Sequence, residues 1–356
     1  MMALFSRRDK NPSTPDRNEA DDAVRAAEPT ADADSADSAV PAPEAGSDAA
    51  PAEEIVPQVN ISVSTFGKAA PAPAPATPPG TRRTARGPAE APEQTESVPG
   101  LPDNVVVREA LAALPEQLEP ADVVALMRQL LQGHLFVRVR GDARALLAEG
   151  KDLTMAVSAM GEDRYLLAFT GGDALQASVS SDGDTQTSAM GQPALAILRN
   201  VVAGPYAGVI IDHASPGRRA ILPKALIEKT LTDADPAATI KNLLVQPRTD
   251  QIAAKIAAAL VTTRVWVAAG KVAGDEKRLG VSEVRAADGS RYLEVFTHPL
   301  EVAVLGRSDR AVPLTPEQLA KALAADEGLT GVVVDPAGPW IQLDRAQLAP
   351  VLALVS

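Results

Sequence analysis

The second half of this chain repeats its first half. The string Arg164-Tyr165-Leu166-Leu167-Ala168-Phe169-Thr170 recurs as Arg291-Tyr292-Leu293-Glu294-Val295-Phe296-Thr297. Further on, Gly208-Val209-Ile210-Ile211-Asp212-His213-Ala214 returns as Gly331-Val332-Val333-Val334-Asp335-Pro336-Ala337. A long internal period with matched elements signals a duplicated domain. It also supplies an internal control: a residue found in one copy only is not needed by a chemistry common to both.

Composition places the duplication. Residues 1–98 are mostly Ala, Pro and acid, too poor in apolar surface to offset the entropy of ordering them, and read as a disordered arm. From Pro99 onward the chain is long enough for two cores, drawn at 99–232 and 235–356. A net charge of −12 disfavours general nucleic-acid binding. The basic island Arg82-Arg83-Thr84-Ala85-Arg86 reads as a solvated cluster, with a docking or modification site as the alternative. With no cysteine, disulfides, a thiolate nucleophile and zinc ribbons are excluded. Neither a signal-peptide core at the start nor a membrane-spanning stretch later is seen, so the expected compartment is the cytoplasm.

Each copy reads as α-β-β-β-α-β-β-α, with a short helical turn after each Phe-Thr. Pro120 and Thr249 are expected to open the first helices, the latter as N-cap, and Thr315 with Gln318 to form a capping box, as do Asp344 with Gln347. Asp288-Gly289 is a hairpin signal, matched by Gly161-Glu162-Asp163. Hairpins mixed with helical crossovers imply an α+β fold: two tandem modules, each a mixed, mainly antiparallel sheet with helices packed on it.

The residues that could carry chemistry have simpler readings. Tyr165, Leu167 and Phe169 share one strand face, as do Tyr292, Glu294 and Phe296, which points to core packing rather than ligand stacking. Thr170 and Thr297 precede helical sequence and read as N-caps rather than parts of an anion site. Asp335-Pro336-Ala337-Gly338 fits a type I turn, which accounts for the aspartate without a metal or general-base role. His134, His213 and His298 align with Arg264, Pro336 and Gly171, so no histidine is held in both copies. Metal-ligand spacings, phosphate loops and dinucleotide fingerprints are absent. No catalytic, cofactor or metal residue is therefore assigned.

One segment of the arm stands apart. In Ile55–Gly67, Val59, Ile61 and Val63 alternate with polar residues and Phe66 follows. Residues 59–66 read either as a strand that docks on a sheet edge or as a chance apolar patch.

From Leu101 onward the chain resembles tandem SseB-type domains of high-GC Gram-positive bacteria. The resemblance is carried by Gly133-His134-Leu135-Phe136, the two Arg-Tyr-Leu-x-x-Phe-Thr strands, and Gly208–Ala214 with its copy Gly331–Ala337. It implies a fold and brings no catalytic residue with it. The expectation is a non-enzymatic cytoplasmic scaffold that binds an unknown protein partner, with Val59, Ile61, Val63 and Phe66 as docking residues. The alternative is a sensor for an amino-acid-like metabolite, bound between the modules; a hydrolase or transferase comes third.

Overall fold

The computed structural model describes residues 87–215, 219–249, 251–272 and 275–355. The Val59–Phe66 segment and the Arg82-to-Arg86 island lie outside the described residues. The first repeat opens with a hairpin of β1 (Glu96–Val98) and β2 (Leu101–Pro102), then α1 (Val105–Ala112), α2 (Pro120–Gln129), β3 (His134–Arg140) and α3 (Ala143–Ala148). It continues through β4 (Val157–Met160), β5 (Asp163–Phe169), α4 (Gly172–Asp182), β6 (Thr187–Pro193) and α5 (Ala194–Ala203). It closes with β7 (Gly208–Ile211), β8 (Ala220–Pro223) and α6 (Lys224–Thr232). The second repeat runs α7 (Thr239–Leu244), α8 (Ile252–Leu260), β9 (Val265–Val272), β10 (Asp275–Val281), β11 (Glu283–Arg285) and β12 (Arg291–Val295). Then come α9 (Pro299–Ala303), β13 (Arg310–Leu314), α10 (Pro316–Ala325), β14 (Leu329–Val334), β15 (Ile341–Asp344) and α11 (Ala349–Leu352).

The sheets have one plan. In the first repeat the order is β6-β3-β5-β7-β8, with β4 on the start of β5. Only β5 and β7 pair in parallel. In the second, β13-β9 and β12-β14-β15 follow the same sequence, and only β12 and β14 are parallel. A single bridge, Trp266 to Phe296, joins the two halves there, where Phe136 faces Phe169 in the first copy. Tyr165 stands opposite Gly208 and Tyr292 opposite Gly331, so the registers equate the repeated strings residue by residue. The glycines are needed there: a Cβ would lie 2.2 Å from Leu222 O at Gly208 and 1.9 Å from Leu343 O at Gly331.

Each repeat has its own apolar core under the helices. Leu126, Leu130, Leu166, Leu198 and Val209 anchor one; Ile256, Leu260, Leu293, Leu319 and Val332 anchor the other. The opposite sheet face carries the aromatics: Phe136, Leu167 and Phe169 cluster in the first repeat, Trp266 and Phe296 in the second. Tyr165, Leu167 and Phe169 thus pack as expected, as does Phe296, whereas on the second strand Glu294 pairs with Arg307 (2.6 Å) and the Tyr292 hydroxyl donates to Asp344 (3.2 Å).

Several local expectations need correction. Composition predicts a disordered arm to residue 98, yet Gly87–Val98 is built into the fold. Gly87 N–H donates to Pro336 O, and the β1–β2 hairpin lies against α4. The sequence signals neither β6 nor β13: TSAMGQP of β6 lacks the β-branched alternation of a strand and pairs through its backbone, and RAVPL of β13 carries a proline. The sequence predicts a short helical turn after Phe169-Thr170, where α4 runs for 11 residues. Gln251, not Thr249, is the N-cap of α8; Thr249 contributes a carbonyl to the preceding turn. The Thr315–Gln318 box forms, whereas Gln347 accepts from Asp344 N–H to close a turn before α11, whose cap is Leu348.

Candidate functional site

The polar groups held in both copies sit where the parallel strand pair ends. Thr170 donates its backbone N–H to Asp212 Oδ1 (2.8 Å) and its hydroxyl to Oδ2 (2.6 Å). Thr297 does the same with Asp335, at 2.8 and 2.5 Å. Both aspartates have left-handed backbones, φ 50° and 49°, a conformation Asp adopts more readily than most side chains. Both are buried. Burial pushes Asp212 up to about 6, against the opposing pull of the Thr170 hydrogen bonds. Burial and then the negative charge of Glu301 push Asp335 up to about 6.

The sequence reading of these residues holds only in part. The expected turn exists, since Gly338 N–H donates to Asp335 O at 2.8 Å. The carboxylate has a separate task, tying the end of β14 to the end of β12, as Asp212 ties β7 to β5. The threonines are not N-caps: Gly171 and His298 hold those positions, and the His298 Nδ1 accepts from Leu300 N–H at 3.1 Å.

Around Asp335 the two repeats meet. Glu301, fully buried on α9, accepts from Lys241 of α7 and from Arg128 of α2 (3.0 Å). Lys241 Nζ also stands 3.6 Å from Asp335 Oδ2. Burial works to raise Glu301, and Lys241 and Arg128 outweigh it and hold the carboxyl below its usual range. Arg128 reaches on to Gly338 O (2.7 Å) and Ala337 O (3.2 Å), and Gln129 to Gly338 O (3.2 Å). Gly133 N–H donates to Asn242 Oδ1 at 2.8 Å. His298 Nε2 lies 3.0 Å from Thr230 O; burial first, then the Lys241 charge, depress its pKa to about 4, so the ring is neutral. Nδ1 accepts, so Nε2 carries the proton.

Two crevices flank Lys241. One is lined by Leu131, Ala234, Thr297 and His298, the other by Gln132, Asp335 and Pro339. Each has a cavity volume of ≈ 10 Å³, room for about one water.

The first repeat closes its strand ends differently. Asp103 accepts from Thr95 Oγ1 (2.7 Å), Ser97 Oγ (2.7 Å) and Ser97 N–H (3.0 Å), and pairs with Arg108 at 3.0 Å. Burial opposes its charge, but Ser97, Thr95 and Arg108 prevail and its pKa is lowered. A Cβ on Gly171 would lie 2.0 Å from Asp103 Oδ1, so the first copy keeps glycine where the second carries His298. The other histidines are one-copy features: His134 Nε2 lies 2.7 Å from Pro102 O, and His213 packs edge-on to Phe169. Arg138, beside His213, is engaged by Ser178 (2.7 Å) and Asp182 (2.5 Å). Among the described residues no group of three or more His, Asp or Glu could hold a metal ion.

Sequence reasoning paired Asp212 with Asp335 and Thr170 with Thr297, but missed Arg128, Lys241, Glu301 and Asp103. The available signal was a charge inside an apolar spacing: Lys241 lies between Ile240 and Leu244, which are both buried. No curated protein and no solved structure matches the chain. The family model for the SseB protein N-terminal domain matches residues 107–227, from α1 into α6, and again 240–349, from α7 to the start of α11. Those two matches cover more than half of the chain, which therefore belongs to the SseB family and carries its N-terminal domain twice.

Proposed function

We propose that this protein is a non-enzymatic scaffold of the bacterial cytoplasm, whose tandem SseB domains present surfaces to a protein partner. The observation that carries this reading is how the duplicated polar groups are spent. Asp212 and Asp335 are each committed to a threonine, and Glu301 to Lys241 and Arg128. The crevices beside them have room for about one water each, against several hundred Å³ in a typical metabolite site. That weighs against the sensor alternative, in which an amino-acid-like metabolite would sit between the repeats. No helix among the described residues is long and apolar enough to cross a membrane, which is compatible with the proposed compartment.

In this reading Val59, Ile61, Val63 and Phe66 form a docking strand that engages the partner. Affinity capture with the full chain and with an Ile61→Asp, Val63→Asp double variant tests it. The double variant should lose the proteins the parent retains, and equal recovery by both would remove the docking role. A metabolite that raises the melting temperature by several degrees would instead promote the sensor.

A further inference from the structure

Gly87, Pro88 and Ala89 are seated on the turn between β14 and β15. Gly87 N–H donates to Pro336 O (3.1 Å), and the Trp340 indole N–H donates to Gly87 O (2.9 Å). Trp340 backbone N–H donates to Ala89 O (3.1 Å), which also accepts from the Arg248 guanidinium (2.7 Å). Arg248 holds the second face of the contact through Trp340 O at 3.0 Å. The four bonds made to the tripeptide all engage its backbone, while Pro88 and Ala89 are exposed.

Two features make this contact selective. A Cβ on residue 87 would lie 1.9 Å from Ala337 O, so the position accepts only glycine. The Ala-Pro run upstream, Ala70-Pro71-Ala72-Pro73-Ala74-Pro75, fails that requirement at every proline, and Gly87-Pro88 is the only Gly-Pro before residue 100. Beyond Ala89, the Glu90 charge acts on Arg248, whose Nη1 is buried without a hydrogen-bond partner. The contact is private to the second repeat: the registers Ile211–Ala220 and Val334–Ile341 place Arg219 where Trp340 stands.

We propose that Trp340, Arg248 and the Pro336–Gly338 turn form a peptide-recognition site for a Gly-Pro-small-acidic sequence. Gly87–Glu90 occupies it as a tethered self-ligand, and a partner polypeptide carrying the same kind of sequence takes it by exchange. The partner half of this statement rests on the scaffold reading; recognition of the sequence does not. A segment tethered this close competes at an effective concentration of about 1 mM, so an outside peptide binds well only when the self-ligand is lifted away.

The test uses the full chain with Gly87→Val, which blocks the self-ligand. An acetylated and amidated peptide of residues 86–91, Arg-Gly-Pro-Ala-Glu-Ala, is titrated in while the two tryptophan indole N–H resonances are followed. The Trp340 resonance should shift and saturate while that of Trp266 stays put, and the unsubstituted chain should need at least roughly tenfold more peptide. The control Arg-Ala-Pro-Ala-Glu-Ala should bind at least roughly tenfold more weakly. If Gly87→Val does not fold, Gly87→Ala replaces it, since a methyl group already meets Ala337 O. A silent Trp340 resonance in the folded variant, or equal binding of the Ala-Pro control, overturns the proposal. Neither result touches the capture experiment on Ile61 and Val63, so the site and the scaffold reading fail separately.

Discussion

Asp212 and Asp335 make the same two hydrogen bonds but live with different neighbours. Asp335 has Lys241 at 3.6 Å, whereas among the described residues the hydrogen bonds to the Asp212 carboxylate come from Thr170. With its pKa raised from 3.8 to about 6, the folded state binds this proton more tightly than the unfolded chain does. The stability it contributes is complete below about pH 4 and is lost as pH rises through about 6. Asp212→Asn keeps an acceptor for Thr170 N–H, and its amide can donate to the threonine hydroxyl. Urea unfolding should show the variant more stable at pH 7, by roughly 1–3 kcal/mol, with the advantage gone near pH 4. A constant difference across that range would refute the assignment. His298, depressed to about 4, has the opposite sign: its contribution is lost as pH falls from its ordinary 6.5 through about 4. Comparing variant with parent cancels that term. Glu301→Gln should cost roughly 3–5 kcal/mol in the same measurement, because Arg128 and Lys241 lose their shared carboxylate and Lys241 keeps Asp335 at 3.6 Å. None of these environments was written in the sequence. The repeated Thr and Asp marked a shared pair, but only the left-handed φ of the aspartates turns each toward its threonine.

Elements were legible where pattern and packing agree. α2 and α8 follow from apolar residues at helical spacing, and α10 from its Thr315–Gln318 box. β6 and β13 stayed hidden because an edge strand can be specified by its partner; Pro193 and Pro313 even argue against it. The hairpin of β1 and β2 was hidden for another reason. Its polar residues look like linker until Asp103 is seen gathering Thr95, Ser97 and Arg108. This sets where the arm can be cut. Removing residues 1–86 should leave the melting temperature nearly unchanged, since that stretch offers little apolar surface. Extending the cut to residue 98 strips Asp103 of two hydroxyl donors and Asp173 N–H of Ser97 Oγ, and should cost roughly 2 kcal/mol or more. Equal melting temperatures for the two truncations would show that the hairpin contributes nothing.

At the scale of the whole molecule the duplication was plain in the sequence, but the way the copies join was not. A seam uses residues that differ between the repeats, so no internal comparison reveals it. If His134 is aligned with Arg264, the positions of Arg128 and Gln129 on α2 fall on Ala258 and Ala259 of α8. The first repeat can therefore clasp Glu301 and the Gly338 carbonyl of the second, while the second has no such groups to offer a third. A heterologous contact that could have propagated stops at two. The clasp should also make the repeats unfold together, since neither buries Glu301, Lys241 and Arg128 satisfactorily alone. Both tryptophans, Trp266 and Trp340, belong to the second repeat, whereas far-ultraviolet circular dichroism reports on both. In the parent chain the two signals should follow one urea transition. Arg128→Met with Gln129→Ala removes the donors to Glu301 and Gly338 while keeping the helix. Its fluorescence transition should move to lower urea, ahead of the final loss of circular dichroism, as the second repeat melts first. If the curves stay superimposed in the double variant, the repeats are coupled by their apolar contacts, and the charged seam is not what joins them.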